Sequence, residues 1–140
     1  MTDVRVFEPY EVDIAVELVH ECLTQGTSKS GYHFLLLEEA GELIGYTCYG
    51  RIGCTCDRYD IYWLVVARAH QEAGWGTKLL SATEERIEKR GGKRIFIETS
   101  SREDYAAPRS FYASRGYRLA AVVGDFYADG NDKLIYSKRL

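Results

Sequence analysis

Apolar and polar positions along this chain change period several times, and the changes mark its elements. A short extended run, Val4 to Phe7, comes first. Pro9 suits a first helical turn, and Val12, Val16, Val19 and Leu23 follow at helical spacing until Gly26. Phe34 to Leu37 and Leu43 to Tyr49 read as strands joined by the turn Glu39-Ala40-Gly41-Glu42. Residues 50–57 are predicted to be a loop, and Tyr59 to Ala67 an apolar, β-rich strand. From Gly74 the period lengthens: Trp75, Leu79, Leu80, Thr83 and Ile87 line one helical face, with Glu84, Glu85, Glu88 and Lys89 on the wetter sides. Gly91-Gly92 ends that helix. Arg94 to Glu98 is a further strand, and Pro108 opens a short helix that Gly116 closes. Leu119 to Tyr127 and Leu134 to Ser137 pair across Asp129-Gly130-Asn131-Asp132 as a terminal hairpin. The order β-α-β-β-β-α-β-α-β-β predicts an α/β (α+β) chain, a mixed sheet with helices on both faces.

Composition narrows the classes. The 140 residues suit a single domain over 1–140, with an ordinary 46% apolar and 28% charged residues. A net charge of −3 with no basic tract argues against a nucleic-acid partner. No apolar run approaches the roughly 18 residues of a membrane span. The acidic residues among the first twenty leave no room for a signal peptide's apolar stretch. A cytoplasmic protein is therefore expected. Cys22, Cys48, Cys54 and Cys56 do not form a disulfide framework, and Cys54-Thr55-Cys56 has no second pair to complete a metal site. No metal is expected.

The most informative segment is Gln71-Glu72-Ala73-Gly74-Trp75-Gly76-Thr77-Lys78, between an apolar strand and an amphipathic helix. Glycines let backbone approach a bulky anion, and the unpaired N–H groups of a first helical turn point at it. The helix dipole and Lys78 add positive potential. The segment reads as a phosphate or pyrophosphate cradle. It is not a Walker loop, since no Gly-Lys-Ser/Thr run exists. As a dinucleotide fingerprint it has Gly74 and Gly76, and Glu98 as a ribose acid, but Leu79 stands at the third glycine position.

The segment resembles the Gln/Arg-x-x-Gly-x-Gly/Ala signature of the Gcn5-related N-acetyltransferases. A second block, Ala106-Ala107-Pro108-Arg109-Ser110-Phe111-Tyr112-Ala113-Ser114-Arg115-Gly116-Tyr117, is similar to that family's Ala-x-x-Phe/Leu-Tyr-x-x-x-Gly-Phe/Tyr segment. The resemblance implies a mostly antiparallel sheet of about seven strands and acetyl-CoA as co-substrate. It implies that the backbone of Leu64, Val65 and Val66 pairs with the pantetheine arm. The pyrophosphate would then rest on the amides from Glu72 to Thr77, behind Gln71.

An amine must lose a proton before it attacks a thioester, and the departing thiolate gains from a proton donor. The resemblance gives Tyr112 the acid role. It offers two bases: Glu98, the preferred one, and Asp60, which strand alternation sets on one face with Tyr62, Leu64 and Val66. His20, His33 and His70 are isolated. By analogy the acceptor enters between the loop from Gln25 to Tyr32 and the terminal hairpin, so Tyr32, Phe126 and Tyr127 are expected to contact it. The expected activity is transfer of an acetyl group to a primary amine: a small amine, an amino acid or a peptide N-terminus. The rival reading is a non-catalytic acyl-CoA-binding module. A homodimer is compatible with either.

Overall fold

The structure, a computed structural model, describes residues 31–67 and 74–140. The expected strand at Val4 to Phe7, the helix opened by Pro9, His20, Cys22 and His70 lie outside the described residues, as do Gln71, Glu72 and Ala73. Within them, six strands form one sheet: β1 (His33–Glu39), β2 (Glu42–Arg51), β3 (Arg58–Val66), β4 (Arg94–Ser100), β5 (Arg118–Ala128) and β6 (Asn131–Arg139). Their order is β1-β2-β3-β4-β6-β5. Every neighbouring pair is antiparallel except β3 with β4.

Two helices make the crossovers. Helix α1 (Trp75–Lys89) joins β3 to β4; α2 (Ala106–Ser114) follows a single 3-10 turn at Glu103–Tyr105 and leads to β5. Both connections step across the sheet in the same direction, so right-handed crossovers place both helices over one face. Their proximity is visible in a bond from the Tyr117 hydroxyl, just past α2, to Glu84 of α1 at 2.8 Å. Lys138 of β6 pairs with the same carboxylate at 3.0 Å.

The helical period in the sequence marks the docking face of α1. Leu79, Leu80, Thr83 and Ile87 are all buried, and the three aliphatic ones pack in one cluster with Ile44, Ile61, Leu64, Val66, Ile95 and Ile97. The helix ends as its glycines predict. Gly91, at φ 89°, turns left-handed, its N–H donates to the Glu88 carbonyl, and that of Gly92 donates to Ile87, both at 2.9 Å. That pattern is the Schellman motif.

Several boundaries differ from the expectation. Helix α2 starts at Ala106, not at Pro108, which sits in its first turn where a missing N–H costs nothing. The strands β4, β5 and β6 run longer than their apolar cores, because backbone ladders continue through polar residues such as Lys138 and Arg139. The β1–β2 hairpin turns tightly at Ala40-Gly41, both at positive φ, as a two-residue loop matching the sheet's twist requires.

Candidate active site

The site begins with a bulge. In the β2–β3 ladder Thr47 faces Leu64 and Cys48 faces Trp63, yet Tyr49 faces Ile61, so Tyr62 is an extra residue. One extra residue reverses the alternation beyond it. Ile61, Leu64 and Val66 therefore share the buried face, while Asp60, Trp63 and Val65 look the other way. The expectation that Asp60 shares a face with Leu64 and Val66 is thus wrong. The bulge instead lets Asp60, Ile61, Tyr62 and Trp63 line one cleft, with Glu98 of β4 and Tyr127 of β5, around roughly 210 Å³.

A second irregularity opens that cleft. The parallel β3–β4 ladder aligns Asp60 with Phe96 and stops at Ile61 with Ile97, although β3 runs on to Val66 and β4 to Ser100. Glu98 lies two residues past Phe96, hence on the same face as Asp60, where the strands part. The structure brings the two expected bases together at one mouth.

The carboxylates differ in surroundings. Asp60 is half-buried, and burial first, then the charge of Glu98, push its carboxyl up to about 6 against a smaller opposing pull from Lys133. The Lys133 ammonium of β6 lies 3.1 Å from Glu98 Oε2 and 4.4 Å from the centre of the Phe126 ring. Burial, with Asp60 beside it, pushes the Tyr62 phenol up to about 12, so it stays protonated.

Aromatic rings surround the mouth. Tyr32 meets Tyr62 edge-on at 5.4 Å, and Phe126 meets Tyr127 at 5.0 Å and 90°. Of the three residues expected to touch an acceptor, Tyr127 lines the cleft, whereas Tyr32 and Phe126 sit one ring behind. The hairpin acids Asp125 and Asp132 are spent on structure: Asp125 Oδ1 accepts from the Gly130 N–H at 2.7 Å, and Asp132 Oδ1 from the Asp125 N–H at 2.8 Å.

Where the cradle is expected, Gly74 caps α1 at φ 80°, with open space where a side chain would project. The first-turn residues Trp75, Gly76 and Thr77 follow, and Lys78 folds its ammonium over the Trp75 ring at 4.6 Å. Arg115, just past α2, donates to the Thr77 hydroxyl at 2.6 Å and 3.2 Å, placing a guanidinium at the helix start. Sequence reading gave Arg115 no role, nor Trp63 or Lys133. No periodic pattern marks a cation that a neighbouring loop delivers.

Tyr112 is buried in the core, edge-on to Phe111 at 5.6 Å and Tyr117 at 5.9 Å, and is not among the residues lining the cleft. His33 stacks on Tyr49 at 5.1 Å, and burial lowers its pKa. Cys54 and Cys56 are exposed, and among the described residues no three His, Cys, Asp or Glu side chains group as metal ligands.

Comparison with known proteins gives the chain its relatives. The acetyltransferase (GNAT) family model matches residues 4–117. A protein from Desulfovibrio desulfuricans assigned to that family is 41% identical, with a TM-score of 0.92 over 95% of this chain and 83% of its own. A GNAT-family acetyltransferase from Elizabethkingia anophelis with acetyl-CoA bound is 18% identical, with a TM-score of 0.73 over 96% of this chain and 92% of its own. The ribosomal-protein-S18-alanine N-acetyltransferase from Escherichia coli is 18% identical, with a TM-score of 0.69 over 96% and 91%. No curated protein matches the chain by sequence.

Proposed function

This chain belongs to the acetyltransferase (GNAT) family, and from that premise we propose that it transfers the acetyl group of acetyl-CoA to a primary amine bound in the cleft between β3, β4 and the β5–β6 hairpin. The observation that carries this reading is the parting of β3 and β4 immediately beside the paired carboxylates. An extended acyl-thioester arm fits where a strand has lost its neighbour, because it can take the place of that neighbour along the backbone of Leu64, Val65 and Val66. The first-turn amides of α1 and the guanidinium of Arg115 then suit a pyrophosphate or phosphate at the other end. The structure of the Elizabethkingia relative, which holds acetyl-CoA, supports this use of the fold.

In the proposed reaction the acceptor enters as an ammonium, drawn by Asp60 and Glu98 among aromatic walls. Its proton passes to Asp60, directly or through a water. A carboxyl at about 6 is ionised at neutral pH yet more basic than an ordinary aspartate, which suits a general base. The neutral nitrogen attacks the thioester carbonyl carbon, the adduct loses the nitrogen's second proton to solvent as the C–S bond breaks, and the CoA thiolate leaves with a proton. Tyr112 is proposed as its donor, acting from the buried end of α2.

The test is a thermal shift with acetyl-CoA, CoA and NAD in parallel, followed by thiol release against a panel of small amines, amino acids and short peptides. Acetyl-CoA and CoA are expected to raise the Tm with concentration, as any ligand of the folded state does. NAD is expected to do much less. Thiol release with at least one amine completes the case. Binding with no turnover across the panel would favour the non-catalytic acyl-CoA-binding module.

A further inference from the structure

Two carboxylates stand at the mouth of the cleft, and one cation stands with them. Lys133 faces Ser100 across the β4–β6 ladder, next along the same face from the pair Glu98 and Ile135. That diagonal lets its long side chain reach Glu98. The ammonium is enclosed on two sides, by Glu98 Oε2 at 3.1 Å and by the Phe126 ring at 4.4 Å. The lysine side chain is only 17% exposed and its partner 49%. The cation is therefore the more desolvated member, and an ammonium withdrawn from water needs a matched charge nearby.

We propose that Lys133 is a positioning residue that divides the work of the two carboxylates: it binds Glu98 as a standing counter-ion and leaves Asp60 to take the acceptor's proton. This rests on the acetyl-transfer reading above. Among the described residues, the groups facing Asp60 are Glu98 from β4, Lys133 from β6, Tyr62 on its own strand and Tyr127 from β5, with Tyr32 and Cys48 beyond Tyr62. Of these, Glu98 and Lys133 act on Asp60 with opposite sign. Without the ammonium, a half-buried aspartate beside a second carboxylate would hold its proton to higher pH, leaving less of it ionised to serve as a base at neutral pH. With it, Asp60 remains ionised while Glu98 stays tied to β6. The lysine never touches the reacting atoms; it acts through the two acids.

The experiment follows the Asp60 carboxyl directly, by carbon-13 NMR titration of the full chain, so no acceptor need be known. Lys133→Gln is expected to raise the Asp60 midpoint by about one pH unit, and Lys133→Arg to leave it near the wild-type value. Removing both charges, in Glu98→Gln with Lys133→Gln, is expected to bring the midpoint back towards wild type. A folded Lys133→Gln protein whose Asp60 titrates unchanged would overturn the proposal. Should that variant not fold, Lys133→Met, which keeps the packing of the stem against Phe126, decides: its Asp60 midpoint must rise in the same way, and an unmoved one rejects the role. Thiol release with glycinamide as the probe amine adds the kinetic arm. In Lys133→Gln the acid limb of kcat/KM should move by the same amount and the rates converge at alkaline pH. A limb that stays in place while the NMR midpoint moves would also reject the role. Failure to bind acetyl-CoA would instead sink the transfer reading alone, leaving the NMR result as found.

Discussion

Thr47 and Thr83 join their hydroxyls at 2.9 Å in the buried seam where β2 meets α1, across 36 residues of chain. Thr83 already donates its single proton to the Leu79 carbonyl at 2.7 Å. Thr47 must therefore be the donor between them. Each hydroxyl is fully enclosed, so the pair fixes how α1 sits on the sheet, and with it the helix start at Gly74.

Thr83→Val keeps the shape but strands the Thr47 hydroxyl without its acceptor, at a cost of about 2 kcal/mol. The double change Thr47→Val with Thr83→Val should cost less than the sum, because no polar group is then left unmade. Urea unfolding of the four proteins measures this coupling. Additive losses would mean that the two hydroxyls do not act together.

Gly74 tests the cradle. Its left-handed conformation strains most side chains, but asparagine adopts it readily. Gly74→Asn is expected to leave Tm nearly unchanged while filling the open space ahead of the helix. Affinity for acetyl-CoA should fall about tenfold, or ~1.4 kcal/mol. Undiminished binding in calorimetry would remove the cradle from the CoA site.

Arg115→Gln removes a charge and keeps hydrogen-bonding capacity at the same place. If the guanidinium meets a phosphate, acetyl-CoA should bind about tenfold more weakly, with the difference shrinking as salt rises. A variant that binds as tightly as wild type at every ionic strength would leave Arg115 only its bond to Thr77.

Asp60 makes a linked prediction for activity and stability. Its folded pKa, about 6, lies above the ordinary value. Such a group favours the folded state below its unfolded pKa, and that contribution is lost as pH rises through the folded one. Asp60→Asn should therefore stabilise the protein at pH 8, by about 1 kcal/mol after discounting for solvent screening of a half-exposed group. The gain should fade between about pH 6 and 4. Turnover at neutral pH should drop sharply in the same variant. A variant that is neither more stable nor less active would place the base elsewhere, with Glu98 next in line.

Tyr112→Phe keeps the ring against Phe111 and Tyr117 and removes only the hydroxyl. As proton donor to the departing thiolate, Tyr112 should cost kcat when lost and leave acetyl-CoA binding intact. An equal turnover number in the phenylalanine variant would make this residue a packing tyrosine.

Much of this molecule is local chemistry, legible residue by residue. The helical face from Leu79 to Ile87, the stop at Gly91-Gly92, the hairpins at Ala40-Gly41 and Asp129-Gly130 and the positions of the strands between them all follow from side-chain period and turn residues. So does the glycine start of α1, where Gly74 takes a left-handed φ of 80°. What depended on register could not be read this way. The extra residue at Tyr62 shows only against β2, where Tyr49 skips it to face Ile61, and it turns Asp60 away from Leu64 and Val66. The end of the β3–β4 ladder, the delivery of Arg115 to Thr77, and the settling of Lys133 between Glu98 and Phe126 likewise join segments far apart in the chain. A sequence determines the period of each segment by itself; which side chains meet is decided by how the segments align, and one residue of register reverses every face beyond it.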